Sequence, residues 1–235
     1  MSFSGKVAIA GVYEHPTRWA PDKSESQIMA ESARGALADC GLTRDDVDGL
    51  FSAGISMGPM GLVGLAEYLD LKPRYLDGTN IGGSSFVAHV SHAAAAIHAG
   101  LCEVALVLYG STAASNAMAI GTGLGGGRDP VASFVSPYGM TTVGSYALVA
   151  ERHMFQYGTT SEQLAQIAVA MRRHAGQNPQ AKMRKPISVE DVLESRMIAA
   201  PLHLLDCCII SDGGGAVVVT SAERARDLAK PPVLL

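Results

Sequence analysis

The chain has 235 residues, 48% of them hydrophobic and 17% charged, with a formal net charge of −4. That is enough length for one large domain, or for a core carrying a sizeable insertion. An acidic balance, with a pI of about 5.9, leaves no basic field to hold nucleic acid or an anionic membrane.

Residues 6–12, KVAIAGV, have the continuous apolar character of a buried strand, so the N-terminus reads as a strand and not as a signal peptide. A helix is predicted next, with Ser24 as N-cap and Gln27 at the capping-box position. Ile28, Met29, Ala33, Ala36 and Leu37 form its apolar face, and Gly41 stops it. Residues 47–51 make a short strand and 58–70 a second helix-like stretch. The string TNIGGSS then opens into a helix of about residues 84–99, apolar almost all the way round and ended by Gly100. A central, buried helix tolerates that composition. Residues 102–109, CEVALVLY, form a strand apolar on both faces. Helices alternating with such strands predict an α/β fold whose mostly parallel sheet is covered on both sides.

After Gly110 the character changes. Residues 111–145 are small, Gly-rich and irregular, 146–175 are helical, and 176–190 form a polar, basic loop. Long irregular stretches in compact domains are usually functional loops. Residues 111–190 therefore read as an insertion on a sheet domain formed by 1–110 and 191–235. The sheet resumes at 216–220, AVVVT, after the turn SDGGG. No run of about 18 apolar residues exists to span a membrane.

Few local motifs withstand inspection. Cys40, Cys102, Cys207 and Cys208 sit in apolar segments without metal-ligand spacing, which suggests buried free thiols, a cytoplasmic setting and no metal site. Gly121, Gly123 and Gly126 satisfy a dinucleotide-type glycine pattern, but no strand precedes it and no helix follows. His89, His92 and His98 lie on the 84–99 helix and read as core or interface residues, and His203 as a packing or pocket residue. The basic run Arg172, Arg173, His174, Lys182, Arg184, Lys185 is by default a solvated face. In an acidic chain it is also the local candidate for phosphate groups, through Arg172, Arg173, Lys182 and Arg184. The helix tip is the sharper signal. Amides at a helix N-terminus are unsatisfied and carry about half a positive charge, and glycines there admit a carbonyl or anion to the main chain.

Several stretches together resemble the thiolase superfamily, and within it the sterol-carrier-protein-type thiolases. They are TNIGGSS…AIHAG, CEVALVLYGS, SYALVAERHMFQYGTTSEQLAQIAV, and NPQAKMRKPISVEDVLESRMIAAPLHLLDCCIISDGGGAVVVTSAERA. The resemblance implies a thiolase fold, layered α-β-α with a mixed, mostly parallel sheet, in which this chain forms the N-terminal half. The family's nucleophile is a cysteine at the tip of this helix. Counting back from Ile97 and Gly100, its place falls on Gly83, or on Gly82 beside it, so acyl transfer through a cysteine is excluded here. The family's other half, with a histidine loop, a Gly-rich loop and an H-P-x-G segment, lies beyond PPVLL. A fragment, a natural truncation or a second polypeptide would each account for that.

A subgroup of thiolase-like proteins in steroid side-chain degradation also lacks the cysteine and carries a similar Gly-Gly-Ser-Ser stretch. Resemblance to it implies retro-aldol cleavage of a β-hydroxyacyl-CoA, assisted by a partner with an OB fold. Gly83, Ser84 and Ser85 would form the catalytic tip, with the CoA thioester as substrate and no further cofactor. The general base would lie in the missing half, with Tyr138 and Tyr146 as local candidates. A homodimer through the strand around Asp77–Asn80 is also implied. Two rival readings remain: an acyltransferase using Ser84 or Ser85 as nucleophile, and a catalytically silent lipid-CoA-binding subunit.

Overall fold

A computed structural model describes residues 3–53, 60–117, 134 and 141–235. In chain order the elements are β1 (Val7–Glu14), α1 (Glu25–Cys40), β2 (Gly49–Phe51), α2 (Leu62–Tyr68), β3 (Tyr75–Asp77), α3 (Ser85–His98) and β4 (Val104–Ser111). They continue with α4 (Thr142–Tyr157), α5 (Ser161–Gln177), α6 (Val189–Glu194), β5 (Met197–Ala199), β6 (Leu202–His203), β7 (Gly213–Ser221), α7 (Ala222–Ala225) and β8 (Val233–Leu234). The chain divides into two compact units, 1–116 with 211–235, and 117–210. The sequence had placed these boundaries at 110/111 and 190/191. Residues 191–210 group with the inserted unit because α6 packs on α5 and β5 pairs with β6 inside it.

In the first unit six strands form one sheet in the order β3-β2-β4-β7-β1-β8. β2 pairs in parallel with β3 and β4, whereas β7 runs antiparallel between β4 and β1, and β8 antiparallel to β1. The sheet is mixed, and β1 to β4 share one direction. Its centre is antiparallel, however, because β7 is inserted there in reverse. An apolar run such as AVVVT reads the same in either direction, so the pattern could not reveal this.

Alternation along the strands splits the core. Ala8, Ala10, Leu50, Leu106, Leu108 and Val218 pack under α1 and α2. Val7, Phe51, Ala105, Val107 and Val219 pack under α3. Fully burying a side chain such as Leu or Phe stabilises by about 1.5–3 kcal/mol.

α3 is buried on one face only, not all round. Ser85, His89, Ala93, Ala94 and Ala96 are buried, and Val90 and Ile97 are half-buried against the sheet. Val87 is 76% exposed, and Ser91 and Ala95 continue that stripe. An alanine-rich helix has no polar face to mark its outer side, so composition overstated its burial. Of the four cysteines, Cys40 and Cys102 are buried, Cys207 is half-buried and Cys208 exposed. Burial pushes the Cys102 thiol up to about 11, so it is inert as a thiolate at neutral pH.

In the second unit the expected helical run is two helices. Gly158 closes α4 in a left-handed conformation, and Thr160 with Gln163 starts α5 by a capping box. Among the described residues no helix is long and apolar enough to cross a membrane.

Candidate active site

The segment that joins β3 to α3 is held by its own polar groups. Asp77 Oδ1 accepts from the Thr79 amide at 2.8 Å and from its hydroxyl at 2.6 Å, a side-chain turn typical of Asp followed by Thr. Asp77 Oδ2 lies 2.6 Å from His92 Nδ1. Burial works to raise the Asp77 pKa, but the Thr79 bonds and His92 outweigh it and hold the carboxyl below its usual range. One turn away, buried His89 places Nε2 2.9 Å from the Thr79 carbonyl. A carbonyl only accepts, so the His89 proton is on Nε2, and Nδ1 is left buried without a partner. Burial pushes the His89 pKa down against the opposing pull of Asp77 and Thr79, so the ring is neutral at pH 7.

Closer to the tip, Asn80 Oδ1 accepts from the Gly82 amide at 3.1 Å. Ser85 Oγ accepts from the Ile81 amide at 2.9 Å and donates to the Gly82 carbonyl at 2.6 Å. Ser85 is fully buried. Placed at the tip by sequence, it braces the loop from beneath, with its hydroxyl engaged on both sides.

Gly82 and Gly83 differ in kind. Gly82 sits at φ 76°, a left-handed conformation that favours glycine. Gly83 is not left-handed, and a Cβ added to it would meet nothing within 4 Å among the described residues. Neither backbone strain nor crowding requires glycine there. Ser84 is the exposed N-cap residue, in a helical conformation and with no side-chain capping bond. Gly83 makes an isolated bridge with Ile81, and the Ser84 amide has no acceptor among the described residues. An oxygen approaching this tip meets bare main chain, an unsatisfied amide and the positive end of a 14-residue helix.

Phe86, in the first turn of α3, packs on Tyr109 with ring centroids 4.8 Å apart. An apolar hollow of about 410 Å³ opens beside them, lined by Val12, Phe86, Val107 and Tyr109 among others. At the same edge of the sheet, buried Asp212 gathers the loops after β1 and β4. Its oxygens accept from the amides of Ala20, Ala114 and Ser115 at 2.7, 2.9 and 3.0 Å, and from the Ser115 hydroxyl. Burial opposes ionisation of Asp212, but these donors hold its pKa below the usual range. Sequence reading took Asp77–Asn80 only as a dimer-forming strand and Asp212 only as part of a turn. The string DGTN carried a turn signal; nothing near Asp212 announced partners almost 200 residues away.

The basic candidates all lie in the second unit, at the end of α5 and in the loop that follows. Arg172 Nη1 donates to the Lys185 carbonyl at 3.1 Å, Arg184 Nη2 to the Gly176 carbonyl at 3.4 Å, and Lys182 Nζ to the Ile210 carbonyl at 2.8 Å. Arg173 is exposed. None of the four pairs with a carboxylate among the described residues. His203 starts a short helical turn, its amide donating to Asp206 at 2.8 Å. Tyr146 is exposed on α4. Tyr138 and the glycine pattern at 121–126 lie outside the described residues.

The mixed sheet with helices on both faces defines a thiolase-fold chain, and comparison with known proteins agrees. No family model matches the chain. It is 38% identical over 243 residues to the steroid side-chain-cleaving aldolase of Thermomonospora curvata, covering 98% of this chain and 61% of that protein. It is 38% identical over 240 residues to the 17-hydroxy-3-oxo-4-pregnene-20-carboxyl-CoA lyase of Mycobacterium tuberculosis, covering 99% and 62%. Among solved structures, the Ltp2-ChsH2(DUF35) aldolase superposes with a TM-score of 0.84 at 35% identity, covering all of this chain and 60% of that one. Over its whole length the chain is similar to thiolase-superfamily proteins of the sterol-carrier-protein-type, thiolase-like kind and shares their fold. It spans about 60% of the length of these relatives.

Proposed function

We propose that this chain carries the thioester-binding tip of an acyl-CoA carbon–carbon lyase working by retro-aldol cleavage. The carrying observation is the space at Gly83, where nothing among the described residues asks for glycine. A base removes the β-hydroxyl proton and the Cα–Cβ bond breaks. Its electron pair moves into the thioester as an enolate, a ketone departs, and protonation at Cα releases a shorter acyl-CoA. No step needs a nucleophile, a metal or a redox cofactor. Gly83 and the Ser84 amide face the enolate oxygen, where the helix end stabilises developing negative charge. The hollow beside Phe86 and Tyr109 takes the apolar acyl body, in keeping with the steroid named for the relatives. The base comes from the part of the relatives' fold that this chain does not span.

The cations Arg172, Arg173, Lys182 and Arg184 bind the CoA phosphates in this reading, supported by their lack of carboxylate partners among the described residues. Among the described residues β3 forms the sheet edge with its outer side unpaired, which suits pairing with a second copy across a two-fold axis. An OB-fold partner protein and a cytoplasmic setting complete the proposal.

The test is product analysis with a β-hydroxy, β-branched acyl-CoA, using the chain with whatever completes its fold. Release of ketone and shorter acyl-CoA in equal amounts supports the lyase. Intact-mass measurement during turnover separates the acyltransferase reading, which alone requires a covalent adduct, on Ser84 or Ser85. Substrate binding with neither product nor adduct would leave a silent lipid-CoA-binding subunit.

A further inference from the structure

On the face of the sheet opposite α3, a second cavity opens between α1 and the end of α2. Its volume is about 510 Å³ and Leu106 of β4 lies at its floor, within the range of small-molecule sites. Ala33, Leu37, Leu69 and Leu71 wall it. Leu37, Leu71 and Leu106 belong to the buried core, so the walls are fixed by packing that exists without a ligand. It lies within the first unit and apart from the α3 tip, and nothing in the retro-aldol reading uses it.

Charge at the mouth narrows the ligand. Arg34 and Arg44 both line the opening. Arg44 is neutralised by Asp70 at 2.5 Å and Asp45 at 3.4 Å. Arg34 has no hydrogen-bond or ion-pair partner among the described residues. The opening therefore offers one uncompensated guanidinium above an apolar chamber, with two carboxylates close by. That arrangement accepts a single negative charge on an apolar body and disfavours a phosphate's double charge. We propose that this cavity binds an aliphatic monocarboxylate, its chain against Leu37, Leu69 and Leu71 and its carboxylate on Arg34.

Calorimetric titration of the 235-residue protein with hexanoate, octanoate and decanoate, each below its micelle concentration, tests this. Each methylene added should tighten binding by about fourfold, the equivalent of ~0.8 kcal/mol. Decanol should bind about tenfold more weakly than decanoate, and Arg34→Gln should abolish that difference. Arg34 is exposed, so this variant keeps the fold. Ala30→Leu, at a half-buried lining position, should weaken decanoate while leaving thermal stability unchanged. Absence of saturable binding, affinity independent of chain length, or binding unaltered by Arg34→Gln and Ala30→Leu would overturn the assignment.

Discussion

α1 and α3 both begin at a serine, and the two serines are used in opposite ways. Ser24 accepts from the Gln27 amide at 3.2 Å while the Gln27 side chain accepts from the Ser24 amide at 2.7 Å, so the end of α1 is closed by its own side chains. Thr160 caps α5 in the same manner with Gln163, and Thr141 caps α4 by accepting from the Gly144 amide. Ser84 makes no such bond, and among the described helices of eight or more residues only α3 lacks a side-chain cap. The polar groups nearby hold the loop beneath the tip: Asp77 binds Thr79 and His92, His89 binds Thr79, and Ser85 binds Ile81 and Gly82. A closed helix end contributes stability. An open one on a rigid base leaves donors in place for an oxygen that arrives from outside.

The largest effect expected from this contrast is at Gly83. Gly83→Val should lower lyase turnover about a hundredfold, or ~3 kcal/mol in the transition state, by displacing the enolate oxygen from its donors. Melting temperature should not change, because a Cβ added there meets no neighbour among the described residues and the backbone is not left-handed. Near-normal turnover would show that the tip is not the cradle. Asp77→Asn should destabilise by about 2 kcal/mol at pH 7, since charge-assisted bonds to Thr79 and His92 weaken. Folding lowers the Asp77 pKa below its ordinary 3.8, so its contribution is present above that value and lost as pH falls through the folded one. Denaturation of both proteins across pH 2–8 should show the gap closing only at the acid end. A gap that instead widened on acidification would contradict the sign.

Gly82→Ala should destabilise by about 1 kcal/mol through its left-handed backbone, the reverse of the stability-neutral change at Gly83. The smallest effects are a matched pair read by chemical denaturation. Ser24→Ala should remove about 1 kcal/mol of stability, whereas Ser84→Ala should remove none, having no capping bond to lose. Equal losses at the two serines would erase the distinction between the helices.

How much of this was legible in sequence depends on how local each cause is. Ser24 with Gln27 acts within the first turn of α1 and Gly41 within its last, and the structure shows the capping box and left-handed stop they predict. The break between α4 and α5 is equally local, but Gly158 and Thr160 were absorbed into a longer helical pattern. The reversed direction of β7 and the exposed side of α3 were hidden because apolar composition carries neither polarity nor facing. Ser85 was assigned to the tip because sequence order does not say whether a hydroxyl points outward or back at Ile81 and Gly82. Asp212 was invisible for a different reason: its donors come from Ala20, Ala114 and Ser115, brought together only by the sheet. Gly83 itself became a candidate through the family resemblance, and the space around it then gave that position a physical meaning.

The central claim is that a substrate oxygen rests on main-chain amides at the α3 tip. Nitrogen-15 amide spectra recorded during titration with a non-cleavable acyl-CoA report on this most directly. The Gly83 and Ser84 signals should move together and saturate with the ligand, while the capped Gln27 amide of α1 stays fixed. Saturable binding that shifts signals elsewhere and leaves Gly83 and Ser84 in place would contradict the account.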